Sequence, residues 1–333
     1  MPYRLGVYVS SLRGHGRELA ELGFDAVFTE PSLEALKEAR EAGLKAYACI
    51  WAFKAPRCDE RLGVRSVFGS RSLWLGSGCP NNPDVRRYSF KRVLEAVEHG
   101  FDGVVLDGVR FPAPSSGVEA LFSCVCEHCF EVGRRLGVNM DEVAGVLRSF
   151  RGLEGLRRLL RGEGLQGWLE LRAYSITRYV EEVRELLGGV ELGAAVFTPC
   201  LAWMVGQDYA QLGGLLDFIQ PMVYHRGGGA ACLNYELFCL VKGFVEEGYW
   251  EEGLRTIYEE LGVEGPLKLD RLLNGLPLSI LEVEVARAKR MLKGVKVELT
   301  PIVFAAGLSR EEVSQASTAC FKCGVDGLVH FGY

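Results

Sequence analysis

Short apolar runs and amphipathic stretches alternate along the whole chain. The apolar runs are "RLGVYVS" (4–10), "FDAVFTE" (24–30), "LKAYACIWA" (44–52), "FDGVVLD" (101–107), "VELGAAVF" (190–197), "DFIQPMVY" (217–224), "VKVELTPIVF" (295–304) and "VDGLVHFGY" (325–333). They are near-continuous rather than strictly alternating, the pattern of parallel strands covered on their outer face by helices. Between them, apolar positions recur at helical spacing. Residues 32–43 set Leu33, Leu36, Ala39 and Ala42 along one face and end on Gly43. Residues 89–100, 281–294 and 311–324 repeat that form.

A tag recurs where a helix gives way to a strand: "LGFDAVF", "HGFDGVV" and "CGVDGLV". In each, a glycine ends the helix and an aspartate opens the strand, so one structural unit is used repeatedly. Eight strands, each but the last followed by helical sequence, predict an α/β fold, a (β/α)8 TIM barrel formed as a single domain over 1–333. A doubly wound open sheet is the competing arrangement. Its nucleotide-binding form is disfavoured, because no Gly-x-Gly-x-x-Gly follows the first strand and no Gly-x-x-x-x-Gly-Lys-Ser/Thr loop is present. Three connections are long: 53–88 after strand 3, 111–189 after strand 4 (helical, with a cysteine cluster) and 225–278 after strand 6. All three leave the C-terminal ends of strands, where this fold builds its active sites.

The strand ends carry the candidate chemistry. Strand 4 stops on Asp107, with Arg110 three residues on and Pro112 closing the run. A barrel interior is filled with branched apolar side chains, so an acid there sits at the mouth or is paired. Asp107 and Arg110 are either a structural ion pair at the rim or a catalytic carboxylate with the base that keeps it ionised. Glu30 closes strand 2 and Asp208 follows strand 5; each is a candidate partner for Asp107, because two carboxylates flanking a glycosidic bond suffice for its hydrolysis. The bland readings are a cap-like contact for Glu30 near the helix at Ser32, and a first-turn helix acid for Asp208. Strand 6 ends in Tyr224 and His225 with Gln220 deeper, strand 8 in His330 and Tyr333, and strand 3 near Trp51. Aromatic and hydrogen-bonding side chains around a carboxylate suit a sugar, whose faces are apolar and whose rim is hydroxylated.

Composition narrows the field. The 333 residues are 48% hydrophobic and 24% charged with a net charge of −5, an ordinary globule. No basic stripe is present, which argues against nucleic acid and anionic membrane as partners. No apolar run approaches the ~20 residues of a membrane helix, and "MPYRLGVYVS" lacks a signal core, so a cytoplasmic location is expected. Arg outnumbers Lys while Asn and Gln are scarce, as in a thermophile. Eleven cysteines are many for such a chain. Cys124, Cys126 and Cys129 fall within six residues, and one metal ion would gather them with a fourth ligand: Cys79 first, Cys58 or His128 otherwise. Free thiols or a disulfide are the alternatives. An all-thiolate sphere would be filled, making one structural zinc ion and no organic cofactor the expectation.

The run "DGVVLDGVRFP", the Cys-x-Cys-x-x-Cys and "GQDYAQLGGLLDFIQPMVYH" together resemble a largely uncharacterised family of glycoside hydrolase (β/α)8 barrels. That family carries Asp-x-x-Arg-Phe/Tyr-Pro on strand 4, matched by Asp107, Arg110, Phe111 and Pro112. Its strand-6 motif is Asp-x-x-x-Pro-Met-x-Tyr, matched by Asp217, Pro221, Met222 and Tyr224. The resemblance implies a carbohydrate substrate and Asp107 as the catalytic carboxyl group. The cysteines are also similar to the zinc site of family forty-two β-galactosidases, where a lone upstream cysteine, here Cys79, joins such a run. That family has Asn-Glu at the end of strand 4 where this chain has Leu106-Asp107, so its catalytic glutamates do not carry over. The expected reaction is glycoside hydrolysis, with Asp107 as nucleophile or base and Glu30 or Asp208 as acid. Arg110, Trp51, Gln220, Tyr224, His225, His330 and Tyr333 would line the sugar site. A non-catalytic sugar-binding barrel is the second reading. A metal-dependent barrel hydrolase is the third, disfavoured by five scattered histidines with no His-x-His pair.

Overall fold

A computed structural model describes residues 4–332, so Tyr333 lies outside the described residues. Parallel strands β1 (Leu5–Tyr8), β2 (Ala26–Thr29), β3 (Lys45–Trp51), β4 (Gly103–Asp107), β5 (Glu191–Val196) and β6 (Phe218–Pro221) follow one another round the sheet, and β8 (Leu328–Phe331) pairs with β1. The seventh passage of the chain, β7 (Glu298–Leu299 and Ile302–Phe304), closes the ring. Its first piece, Glu298–Leu299, pairs with β6, and its second, Ile302–Phe304, pairs with β8. The single run expected over 295–304 is thus two short strands. Pro301 has no N–H to give a ladder. Thr300 before it donates to Ile219 of β6 (3.0 Å), and the Pro301 carbonyl accepts from Val329 of β8 (2.9 Å), so the passage hands over from one neighbour to the other.

The repeated aspartate tag has a structural reason. Asp25 accepts the Arg4 and Leu5 N–H groups, Asp102 accepts Ala46 N–H (2.8 Å), and Asp326 accepts Leu299 N–H (2.9 Å). Asp217, ahead of β6, does the same for Leu192 (2.7 Å). Each acid before an even strand therefore takes a first donor of the odd strand beside it, at the barrel floor, where the ladder would otherwise leave it unpaired. Asp217 is also held by Arg184 at 2.7 Å. Its place is at the opposite end of the barrel from Asp107.

Layers of alternating size fill the interior. Phe28, Tyr47 and Phe218 stack or meet edge to face, with ring centroids 5.1–6.3 Å apart. The strands between them present Gly6, Gly103 and Gly193, where a Cβ would fall 2.6, 2.7 and 1.9 Å from those three rings. Large side chains on some strands and none on their neighbours are how a small barrel packs. The next residues of the same parity, Tyr8, Cys49, Val105 and Gln220, sit one layer higher, and Trp51 and Asp107 one layer above that.

The long connections sit at that upper end. The loop after β3 contains a small hairpin, Val64–Arg65 with Arg71–Ser72. The segment expected as a helical insertion over 111–189 begins with short helices, and its last helix, Gln166–Leu187, packs beside Pro83–His99 and leads into β5. The segment after β6 holds Leu233–Phe244 and Trp250–Leu261 before Ser279–Met291. Among the described residues, no helix is long and apolar enough to cross a membrane.

Candidate active site

Asp107 is the last residue of β4 and faces the barrel axis, paired in register with Trp51 of β3. Its Oδ1 accepts the Gly108 N–H at 2.7 Å, and no donor among the described residues reaches Oδ2. Gly108 adopts a left-handed φ of +61°, and a side chain there would strike the Trp51 ring at 2.8 Å. The chain thus turns under the indole, and Trp51 is fixed in turn by donating Nε1–H to Ser77 Oγ (2.6 Å). Burial raises the Asp107 carboxyl above the ordinary aspartate range, and the Gly108 N–H and then the Arg110 charge pull it part of the way back. The carboxyl opens into a hollow of about 130 Å³ lined by Tyr8, Trp51, Met222, Tyr224 and Phe331 among others.

Arg110 lines the same hollow without a direct ion pair to Asp107. The residue is 3% exposed, and its guanidinium lies between the Trp74 and Phe197 rings (4.6 and 4.9 Å to the centroids) and donates to the Phe111 carbonyl. Burial lowers it to about 10, and Glu236 first, then Asp107, hold the charge on. Glu236 was not among the residues singled out from the sequence. It is fully buried on the helix Leu233–Phe244 and accepts from Ser115 N–H, Ser115 Oγ–H and Ala231 N–H at 2.7, 2.7 and 2.8 Å. One carboxylate thereby ties the loop after β4 to the loop after β6. Burial raises its pKa, and Arg110 followed by these donors lowers it.

The other expected site residues divide. Tyr224 joins the hollow, stacked on Phe331, its hydroxyl raised by burial and next by the Asp107 charge. Gln220 is buried one layer down and accepts from the Tyr8 hydroxyl at 2.6 Å. Glu30 follows Phe28 on the inward parity of β2 and is exposed at the rim; its charge and that of Asp107 both act on Cys49. Three other residues expected at the mouth lie apart from this hollow. Asp208 caps the helix Tyr209–Gly213, accepting from Gln211 N–H at 3.0 Å, in a separate surface hollow. His330 has the outward parity of β8, where it meets Ser317 (2.9 Å) and the edge of Phe24 behind the barrel wall. His225 lies beyond Tyr224 in an outer depression with Arg226, Arg271 and Glu312.

The cysteine cluster lies apart from the hollow. Cys79, Cys124, Cys126 and Cys129 are all buried, and their sulfur atoms lie within 4.8 Å of one another, with two separations of 3.5 and 3.6 Å. Cys58 is exposed and, like His128, stands outside this group. None of the eleven cysteines is disulfide-bonded. Tetrahedral metal–sulfur bonds of about 2.3 Å set sulfur separations of about 3.8 Å, so the four residues fit one metal ion. The surroundings fit too. Arg65 N–H points at Cys124 Sγ (3.3 Å), and Asn81 sends its backbone N–H to Cys79 (3.4 Å) and its amide to Cys129 (3.3 Å). Arg172, fully buried, lies 3.8 Å over the Trp168 ring and donates to the Leu121, Ser123 and Met204 carbonyls; burial pushes its pKa down, against a smaller upward pull from Cys124 and Cys129. Backbone and amide N–H donors converge on sulfur as they would on thiolates.

The closed ring of parallel strands, with its long loops at one end, places the chain in the (β/α)8-barrel class. Residues 32–234 match the domain family described as "Putative glycosyl hydrolase domain", and the chain belongs to that family, which puts it in the glycosidase class. No curated protein matches the sequence. Among solved structures, the PgaB (BpsB) glycoside hydrolase domain from Bordetella bronchiseptica is similar over 98% of this chain and 93% of its own, at 12% identity and a TM-score of 0.61. The β-galactosidase from Bacillus circulans sp. alkalophilus is similar over 99% of this chain and 50% of its own, at 11% identity and a TM-score of 0.55. At these identities the likeness is one of fold.

Proposed function

We propose that this glycosidase cleaves its substrate at the Asp107 hollow, with Asp107 as the proton-transferring carboxyl group. One observation carries the reading: a carboxyl group whose pKa burial has raised opens, through an oxygen without a partner among the described residues, into an aromatic-lined hollow at the C-terminal mouth of the barrel. A raised carboxyl holds its proton nearer neutral pH and is suited to protonate the leaving oxygen. This shifts the role of Asp107 from the nucleophile or base expected from the sequence toward the acid. Glu30, solvent-exposed on the inward parity of β2, is the better-placed second carboxylate, since Asp208 is engaged as a helix cap. Trp51 and Tyr224 supply the apolar faces against which a sugar ring packs. Arg110, held charged by Glu236, stabilises negative charge beside the reacting bond. The four cysteines would hold one zinc ion with a filled sphere, a structural role that fixes the loop from Trp74 to Cys79.

One observation favours a sugar-binding barrel without turnover: among the described residues lining the hollow, Asp107 is the one carboxylate. A panel of aryl glycosides and oligosaccharides, assayed with wild type and Asp107→Asn, separates the two. Hydrolysis of one glycoside class, reduced by about 10²–10⁴ in the variant, is the expected result. The activity should also fall as pH rises through the raised Asp107 pKa, and Asp107→Asn should remove that limb of the profile. Equal rates for variant and wild type would move the chemistry away from Asp107. No turnover by either, with sugars raising the melting temperature, would leave the binding barrel.

A further inference from the structure

We infer that a second sugar site adjoins the Asp107 hollow and that the substrate is a chain of neutral sugar units. The inference rests on the reading above for the Asp107 end alone. At about 130 Å³ that hollow is below the roughly 300–1,000 Å³ of ordinary small-molecule pockets, so a well-held ligand extends beyond it. A hollow of about 460 Å³ lies on the other side of Ala230, which lines both. The two also share a wall: Trp74 backs the second, and its ring carries Arg110, which lines the first.

Three long loops build the second hollow. Trp74 and Leu75 come from the loop after β3, Ser115 and Ser116 from the loop after β4, and Ala230 and Tyr235 from the segment after β6. Among the described residues, no charged side chain lines it. Tyr235 offers a half-exposed ring, Leu75 is 60% exposed, and the two serines bring hydroxyls. An apolar face with hydroxyl partners and no charge fits an uncharged pyranose unit and gives no counter-ion to a uronic acid or an amino sugar. The walls are set before any ligand arrives. Glu236 binds Ser115 on one side and Ala231 on the other, so a single buried carboxylate fixes the gap between them. Leu75 and Ala231 hold left-handed φ values of 49° and 67°, and non-glycine residues persist there only where their surroundings over-determine them.

The test measures binding without turnover. Asp107→Asn is titrated calorimetrically with neutral hexose oligosaccharides from mono- to hexasaccharide, and with uronic acid and glucosamine oligomers of the same lengths. Affinity for the neutral series should rise about tenfold on going past the first unit and then level off. Adding Tyr235→Ala, or Ala230→Trp across the junction, should remove most of that rise, while Tyr235→Phe, which keeps the ring, should retain it. Affinity independent of length, no binding by any neutral oligomer, or tighter binding of either charged series overturns the inference. The two readings fail separately. If wild type cleaves monosaccharide aryl glycosides and affinity is flat with length, the second site falls and hydrolysis stands. If wild type cleaves nothing, yet length-dependent binding persists and responds to Tyr235, hydrolysis falls and the second site stands.

Discussion

The cysteine cluster and the Asp107 hollow are joined by one loop and finished in opposite ways. At the cluster, four sulfurs face inward, and N–H donors from Arg65 and Asn81 point at them. Four thiolates would fill a tetrahedral metal's sphere, leaving no open position for a substrate. At the hollow, Asp107 has one oxygen held and one open, and Arg110 is charged without a contact ion pair. A filled sphere is what a structural site needs, and an unfinished one is what chemistry needs. Between them, Trp74 and Ser77 exchange backbone hydrogen bonds (3.1 and 2.8 Å) two residues before Cys79, and Ser77 also holds Trp51. The closed site anchors the walls of the open one.

The largest expected effect comes from opening the closed site. Cys126→Ala, or chelation under mild denaturant, should cost about 5 kcal/mol or more, because metal binding and folding of these loops are one event. Elemental analysis of purified wild type should give one zinc per chain, and the variant should carry none and melt well below it. A metal-free wild type that melts with the variant would break the comparison, for the two regions would then be equally unfinished.

A smaller effect is expected at Glu236, where the two regions' loops meet. Glu236→Ala strips acceptors from Ser115 and Ala231 and removes the main charge that favours Arg110. The loss should be about 2–4 kcal/mol in denaturant unfolding, with Glu236→Gln recovering part of it through its remaining carbonyl oxygen. A variant as stable as wild type would show that the loops after β4 and β6 stand without this tie.

What was legible in the sequence follows the range of the interaction. Asp107 at a strand end, the run Cys124, Cys126 and Cys129, and the alternation of strands and helices are local patterns, and they lead to the barrel and to one corner of the hollow. Register is not local. "HFGY" shows that a histidine and an aromatic close the last strand, but a one-residue choice of parity puts Phe331 in the mouth and His330 behind the wall. Asp208 has the N-cap chemistry that its helix-forming neighbours permit, and only packing excludes it from the mouth. Glu236 carried a readable signal. Leu233, Glu236, Leu237 and Leu240 share one helical face, and an acid on an otherwise apolar face calls for a buried partner. Its partners, Ser115 and Arg110, lie over a hundred positions away and could not be named from spacing.

The smallest effect sharpens the contrast most. A structural carboxylate should stabilise the fold in its charged form, whereas one held for chemistry should not. Asp107 has a folded pKa raised above its unfolded value, chiefly by burial. The sign follows from linkage: its stabilising contribution is whole below the unfolded aspartate pKa near ~3.9 and is lost as pH rises through the raised folded value. Above that folded pKa the ionised group therefore works against folding. Asp107→Asn removes that charge with little change of shape and should raise the melting temperature by about 1–3 °C at pH 7. The gain should shrink toward zero on acidification below the ordinary aspartate range. Scanning calorimetry of both proteins across that window tests the point. A variant less stable than wild type at pH 7 would mean that the Asp107 charge is answered inside the protein, by Arg110 more closely than the geometry shows, and the hollow would then be as finished as the cysteine cluster.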